Sequence, residues 1–187
     1  MIESGAEYFS NVLLVSGNGR NVGKTTFICE LINHLQILKP IAIKVSSHFH
    51  TVDLNNYYVW NQSNEFVLLE EKSLYGSKDS NRMLKAGADK VFFLMVKDDN
   101  IGLAFNYLKR HFSTNVPIII ESASIRKILK PSLFFIVFGE ETLNLKNSVI
   151  EFLPVADRKI YFDGLKFSLE TSKIIFDQKD FIFHIQE

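Results

Sequence analysis

A glycine-rich stretch near the N-terminus constrains this chain more than any other feature of its sequence. Residues 16–26 read Ser-Gly-Asn-Gly-Arg-Asn-Val-Gly-Lys-Thr-Thr. An apolar run at 12–15 precedes them, and apolar side chains at helical spacing follow, at Phe27, Ile28, Leu31, Ile32 and Leu35. A strand, a glycine-rich turn and a helix in this order predict a phosphate-binding loop of the Walker A type.

Each part of such a loop has a physical role. Glycine lacks the Cβ atom that would keep backbone N–H groups from closing around phosphate oxygens. The helix that begins after Gly23 adds unpaired amides and the positive end of its dipole. Lys24 is expected to neutralise the β- and γ-phosphates, and the Thr25 hydroxyl to ligate Mg²⁺. We therefore predict nucleotide contacts along the whole loop, at Gly17, Asn18, Gly19, Arg20, Asn21, Val22, Gly23, Lys24, Thr25 and Thr26.

The spacing of this loop departs from the usual G-x-x-x-x-G-K-[ST] pattern. Asn18 stands where the first glycine is expected, and the loop counted from Gly17 is one residue longer. Asparagine tolerates positive φ better than most residues, so we expect Asn18 to permit the turn. The alternative is a glycine-rich turn that binds nothing, but the flanking strand and helix favour phosphate.

Length and composition indicate one globular domain, residues 1–187. Apolar residues make up 47% of the 187 positions, which is enough for a substantial core. The formal net charge is zero, so no overall field favours nucleic acid or an anionic membrane, and we predict neither as a partner. A single cysteine, Cys29, and the lack of any long apolar run predict a cytoplasmic protein.

Alternating apolar segments predict an α/β fold. Strands are expected at 41–45, 66–70, 90–96, 116–121 and 131–138. Helices are expected after Gly23, near 77–87 and along the stripe Ile101, Phe105, Leu108 and Phe112. This alternation predicts a three-layer P-loop NTPase fold, in which helices flank a mostly parallel sheet.

The C-terminal part of the chain has a different pattern. Asp163-Gly164 lies between two strand-like runs, which is a two-residue hairpin signal, and 174–183 repeats the idea with a four-residue connection. We predict that 156–187 is an antiparallel β-hairpin appendage of the single domain. Its aromatic side chains would either pack on the sheet or form a homodimer interface.

Two acids outside the loop are candidate magnesium ligands. Glu121 ends an apolar strand, as in a Walker B motif, and is expected to hold a Mg²⁺-bound water or to orient the attacking one. The alternative is an acid that marks where a strand meets solvent. Asp53 is expected to coordinate Mg²⁺ across from Thr25.

Three cations and two histidines are further candidates. Lys44, near the end of its strand, is either an edge residue or faces the ligand crevice. Lys78 and Arg82, one helical turn apart, are either solvated charges or a second anion clamp. His48 and His50 have a weak metal-ligand spacing, but without a third ligand a polar loop is the favoured interpretation.

Three segments, 17–26, 43–50 and 78–88, resemble the molybdopterin-guanine dinucleotide biosynthesis protein B family. That family typically has a Gly-Lys-Thr-Thr loop, a strand running into Lys and a His-rich turn, and then Lys-Asp-Ser, a short helix and Ala-Gly-Ala. The resemblance implies a P-loop GTPase that acts as an accessory factor in attaching GMP to molybdopterin. GTP rather than ATP follows from this resemblance alone, since no Asn-Lys-x-Asp motif is present.

The leading hypothesis is therefore an accessory protein of molybdenum cofactor biosynthesis that binds and slowly hydrolyses Mg²⁺–GTP, or ATP. Lys24, Asp53 and Glu121 would serve catalysis, with Thr25 sharing the metal. Lys44, Lys78 and Arg82 would meet molybdopterin or another phosphorylated molecule. Two alternatives stay open: an ATP-dependent carboxylate-activating enzyme, because the longer loop also resembles dethiobiotin synthetase, and a nucleotide-sensing scaffold without turnover.

Overall fold

The computed structural model describes residues 5–113, 115–139, 145 and 147–183. Within these residues the strands are β1 (Glu7–Gly17), β2 (Ile41–Ser46), β3 (Tyr57–Gln62), β4 (Phe66–Glu71), β5 (Lys90–Val96), β6 (Ile118–Glu121), β7 (Leu129–Gly139), β8 (Arg158–Phe162), β9 (Ile174–Asp177) and β10 (Asp180–Phe183). The α-helices are α1 (Lys24–Leu35), α2 (Asp79–Lys85), α3 (Ile101–Leu108) and α4 (Asn147–Phe152).

The main sheet has the strand order β3-β4-β5-β2-β6-β1-β7-β8. Neighbours from β5 to β8 run parallel, and β3 and β4 add antiparallel strands at one edge. The loop strand β1 lies between β6 and β7, in the interior of the sheet. The predicted mostly parallel sheet is confirmed.

Helices cover both faces of the sheet, because successive side chains of the central strands point to opposite sides. Val12 and Leu14 of β1 pack with α3 and α4, whereas Leu13 and Val15 pack with α1 and α2. All four side chains are fully buried. The three-layer architecture is therefore confirmed as well.

Two edge features differ from the sequence prediction. β3 matches none of the predicted strands, because its side chains are half exposed and carry little apolar periodicity. β8 pairs in parallel with β7, and its antiparallel pairing across the Asp163-Gly164 turn is limited to one bridge between Phe162 and Phe167. Parallel pairing satisfies the open backbone edge of β7, which a free hairpin would leave exposed.

The antiparallel hairpin of the C-terminal region is β9–β10. Its connection has two residues, 178–179, rather than four, since Asp177 and Asp180 pair with each other. Phe176 and Phe181 are buried in the same core as Phe27 of α1. These two aromatic side chains thus pack within the chain. No helix among the described residues is long and apolar enough to cross a membrane.

Candidate phosphate-binding site

The glycine-rich loop connects the end of β1 with the first turn of α1. The Asn18 amide donates to the Val137 carbonyl of β7 at 3.0 Å, which holds the start of the loop at the carboxyl end of the sheet. Positive φ values occur at Asn21 (57°) and Gly23 (92°), and not at Asn18 as the sequence suggested. Asn18 is instead buried, 2% exposed, and follows directly from β1. The turn is made later in the loop than the motif spacing implied.

Gly23 is required by both conformation and space. Its φ of 92° lies in the left-handed region that side chains disfavour. A Cβ atom at this position would lie 2.7 Å from Cδ1 of Phe162, which is too close for any carbon contact. The loop therefore touches the C-terminal end of β8.

Lys24 extends back over its own loop. Its Nζ atom donates to the Gly19 carbonyl at 2.5 Å. A Cβ atom at Gly17 would lie 2.7 Å from Cδ of Lys24, so the glycine leaves room for the lysine side chain to pass. The Lys24 ammonium is thus held at the mouth of the loop, beside the amino end of α1.

A chain of polar contacts crosses the cleft from α1 to α2. The buried Thr25 hydroxyl donates to Oε2 of Glu121 at 2.8 Å. The other oxygen of Glu121 accepts from the Lys44 ammonium at 2.5 Å. The same ammonium lies 2.8 Å from Oδ2 of Asp79. Lys44 and Glu121 are opposite each other in the β2–β6 pairing, so sheet register brings them together.

The ion pairs between Lys44 and the two carboxylates determine the pKa values of Lys44 and Asp79. Burial by itself lowers the pKa of Lys44, but Glu121 and Asp79 outweigh it and raise that pKa above its usual value. Burial likewise raises the pKa of Asp79, yet its bonds to Lys44 and Thr25 leave it below the usual value. Both groups are therefore charged at neutral pH, and Lys44 is the cation shared by two carboxylates.

These residues line a cleft of about 820 Å³ at the carboxyl ends of the parallel strands. In open α/β sheets this is where ligands bind. Predicted residues that line it are Gly17, Arg20, Asn21, Gly23, Lys24, Thr25, Thr26, Lys44, His48, His50, Arg82 and Glu121. Arg82 donates from Nη2 to the Thr26 hydroxyl at 2.9 Å, which ties α2 to the loop.

Other predicted residues lie outside the lining of this cleft. Asn18 and Val22 are buried, and Gly19 is half-buried and outside the lining, although all three belong to the loop. Asp53 caps a short turn by accepting from the Asn55 amide at 3.1 Å. Lys78 lies 6.0 Å from the ring centroid of Tyr57 and lines a neighbouring cavity of about 490 Å³.

Asp79 occupies the position that the sequence reasoning gave to Asp53. The sequence signal was the Lys-Asp-Ser segment at 78–80, at the start of a predicted helix. An acidic residue in the first turn of a helix is usually explained by its favourable interaction with the helix dipole. The sequence therefore does not indicate that Asp79 also pairs with Lys44 across the cleft. The pairing depends on how α2 packs against β2.

Two histidines and four serines also line the cleft. The His50 imidazole lies 3.1 Å from the Ser46 hydroxyl and stacks on Phe93. The His48 and His50 rings are 6.4 Å apart. Ser16, which the sequence reasoning did not single out, is 2% exposed, and its hydroxyl has no hydrogen-bond partner among the described residues. A buried unpaired hydroxyl costs about 1–3 kcal/mol, which a polar ligand in the cleft would offset.

The donor set of the cleft suits a hard cation. Within the ranges that the structure covers, no group of three or more His, Cys, Asp or Glu side chains is arranged to hold a metal by itself. Mg²⁺ needs no such cage, because it takes one or two protein oxygens and completes its shell with phosphate and water. The Thr25 hydroxyl with the Glu121 and Asp79 carboxylates fits this requirement. The Cys29 thiol lies outside the lining of the cleft, and burial raises its pKa to about 11.

Comparison with known proteins agrees with this geometry at the level of the fold. No protein-family model and no curated protein matches the chain. Among solved structures it is similar to "apo" form LpxK from Aquifex aeolicus in complex with ATP, with a TM-score of 0.52 and 14% identity. The match covers 87% of this chain and 54% of LpxK, so the chain spans about half the length of that protein. This chain therefore shares with LpxK an α/β fold with a mostly parallel sheet flanked by helices.

Proposed function

We propose that this protein binds a Mg²⁺–nucleoside triphosphate, GTP rather than ATP, and hydrolyses it slowly. The observation that carries the proposal is the hydrogen bond between Thr25 and Glu121, which joins the phosphate loop to the acid that ends β6. This pairing supports the proposal because a hydroxyl that would ligate Mg²⁺ and a carboxylate lie together at the loop. The ATP complex of LpxK supports a nucleotide at this fold.

Each residue of the cleft has a role that follows from its position. The loop amides and the amino end of α1 bind the phosphates, and Lys24 exchanges the Gly19 carbonyl for phosphate oxygens. Thr25, Glu121 and Asp79 would hold Mg²⁺, which supplies charge neutralisation at the β- and γ-phosphates. Turnover is slow because Glu121 and Asp79 would both be occupied by Mg²⁺, and the described lining of the cleft has no further carboxylate to orient an attacking water.

The second part of the proposal is an accessory role in molybdenum cofactor biosynthesis, in the cytoplasm and as a homodimer. Lys44 and Arg82 would contact molybdopterin or another phosphorylated molecule. The cavity beside the cleft supports a second ligand, because it shares Lys44, Ser46, His50 and Asp79 with the cleft and adds Lys78. The same cavity equally suits a small organic acid, as in an ATP-dependent carboxylate-activating enzyme.

The test is titration calorimetry with GTP and ATP in the presence of Mg²⁺, combined with measurement of phosphate release. Lys24→Ala removes charge-assisted bonds of about 1.5–3 kcal/mol each, so we expect affinity to fall by about 10- to 100-fold. Lys90→Ala is the matched control, because it removes an exposed lysine at the start of β5, the opposite end of the sheet. Equal affinity of the wild type and Lys24→Ala would refute the site.

Phosphate release then separates the candidate functions. The accessory protein should release phosphate slowly and respond to a pterin or a partner protein. A carboxylate-activating enzyme should depend on a small organic acid and on ATP. Nucleotide binding without any release would indicate a sensing scaffold.

A further inference from the structure

On the side of the phosphate cleft away from Lys78, another cavity lies at the carboxyl ends of β7 and β8. Its volume is about 550 Å³, within the range of small-ligand pockets. Its walls include Phe138, Tyr161, Phe162, Asp163 and Phe167. We propose that this cavity binds the guanine base of the nucleotide and that Asp163 selects guanine over adenine. The inference rests on the proposed function and adds the part of the ligand that the loop does not recognise.

The cavity is continuous with the loop. Phe162 lines both the cavity and the phosphate cleft. The position of a Cβ atom on Gly23 is 2.7 Å from Phe162 and 3.1 Å from Phe167, so these rings lie against the last glycine before Lys24. On the other wall, the corresponding position on Gly139 is 3.5 Å from Val22. A nucleoside attached to phosphates in the loop therefore has this cavity as its immediate neighbour.

The walls of the cavity provide flat aromatic surfaces. Phe138 and Tyr161 stack with ring centroids 5.5 Å apart and an interplanar angle of 29°. Phe162 and Phe167 stack at 4.4 Å and 23°. Tyr161 is 57% exposed, so one of its faces is open to a ligand. Stacking on such rings is a general way to bind a base, because every base has a π face.

Asp163 supplies the hydrogen-bonding edge. Its Oδ1 atom accepts the amides of Leu165 at 2.8 Å and Lys166 at 2.6 Å, which fixes the carboxylate in the Asp-Gly turn. These backbone bonds hold the pKa of Asp163 below its usual value. Asp163 is therefore an acceptor without a donor at neutral pH.

Guanine and adenine differ in what they offer to such a group. Guanine carries two adjacent donors, N1–H and the N2 amino group, which suit Oδ2 of Asp163 as an acceptor because Oδ1 already accepts the two turn amides. Adenine offers the N6 amino group beside N1, which is an acceptor and would be repelled. The cavity on the other side of the cleft is lined instead by Lys44, His50, Lys78 and hydroxyl groups, which suit a polar or phosphorylated second ligand.

The test compares the affinities of GTP, ATP and XTP, each with Mg²⁺, by competition with a fluorescent nucleotide. Wild-type protein should prefer GTP over ATP by about tenfold or more, as expected for one well-matched polar contact. Asp163→Asn keeps the Oδ1 acceptor that the turn needs but adds a donor. It should lose the preference for GTP and gain affinity for XTP, in which a carbonyl replaces the N2 amino group.

Tyr161→Ala should weaken GTP and ATP together, by about tenfold, because it removes a stacking surface. Tyr58→Ala is its matched control, since Tyr58 is 59% exposed on β3 at the opposite edge of the sheet. Thermal melting of every variant checks that the fold is intact.

Equal affinity for GTP and ATP, unchanged in Asp163→Asn, would overturn this inference while Lys24→Ala still tests the phosphate site. Loss of binding in Lys24→Ala would then leave the proposed function standing without the guanine site. No binding of any triphosphate to the wild type would overturn both.

Discussion

Lys44 pairs with both carboxylates of the cleft, Glu121 and Asp79, and so affects their ability to bind a metal. Its ammonium lies within hydrogen-bond distance of both Glu121 and Asp79, which are the carboxylates nearest Thr25. A lysine between two acids offsets one of their two negative charges, so a divalent cation gains less by entering without nucleotide. Nucleotide phosphates would offer Lys44 another partner, and the metal would then enter together with the nucleotide.

This arrangement predicts the effect of Lys44→Met on metal affinity. Removing the ammonium leaves Glu121 with the Thr25 hydroxyl and Asp79 with Arg82, 3.8 Å away, so affinity for Mn²⁺ without nucleotide should rise by about tenfold, or about 1.4 kcal/mol. Electron paramagnetic resonance of free Mn²⁺ measures the change directly. Lys90→Met serves as the control for the loss of one positive charge. A wild type that already binds Mn²⁺ as tightly as Lys44→Met would contradict this role.

At the level of single residues, a sequence motif indicates a candidate site only where the chemistry is local. The loop residues were recognised from one short motif, and Glu121 from the apolar strand that it ends. Asp53 and Lys78 were not brought into the cleft, because their side chains have partners nearby in the chain or on β3. A polar side chain can hydrogen-bond either to backbone groups of its own turn or to residues far away in the sequence. Sequence spacing does not reveal which of these bonds forms.

At the level of elements, the β9–β10 hairpin completes the core on the α1 face of the sheet. Phe176 and Phe181 are 8% and 4% exposed, and their ring centroids are 5.2 Å apart. Ile174 is fully buried in the same cluster. The hairpin therefore shields α1, the helix that carries Lys24 and Thr25.

Phe176→Ala should destabilise the protein by about 3–5 kcal/mol, as for other large-to-small changes in a packed core. Ile175→Ala is the matched control, because the neighbouring side chain points to the other face of the strand and is 41% exposed. Its cost should be under about 1 kcal/mol. Urea denaturation compares the two variants. Similar midpoints for both would show that the hairpin does not support the core.

At the level of the whole molecule, local pairs govern the pH dependence of stability. Lys and Arg number 21, as do Asp and Glu, so the formal net charge at neutral pH is zero. Repulsion among the charges of the whole protein is then weak near neutral pH. Individual groups with shifted pKa values therefore dominate the pH dependence of stability. Asp79, with a lowered pKa, and Lys44, with a raised one, form such a pair.

The Asp79 contribution should vanish in acid. Because its pKa is lower in the folded protein, its stabilisation is complete above its unfolded pKa of about 4 and is lost as pH falls through the folded pKa. The Lys44 contribution is present below about pH 10.4 and is lost as pH rises through its raised pKa. Wild type and Asp79→Asn should therefore differ by about 1 kcal/mol or less at pH 5–9 and converge below about pH 4. Urea unfolding across this range measures the difference, and a gap that persists in acid would contradict the ion pair.

The sequence by itself determined the glycine-rich loop between a strand and a helix, the alternation of strands and helices, and the three-layer class of the fold. These features depend on glycine geometry and on apolar periodicity, which act over a few residues. The tertiary structure decided that Asp79 faces Lys44, that β8 joins the parallel sheet, and that Phe162 lies against Gly23. Such contacts join residues far apart in the chain, and the strand order and register that create them are set by packing of the whole core.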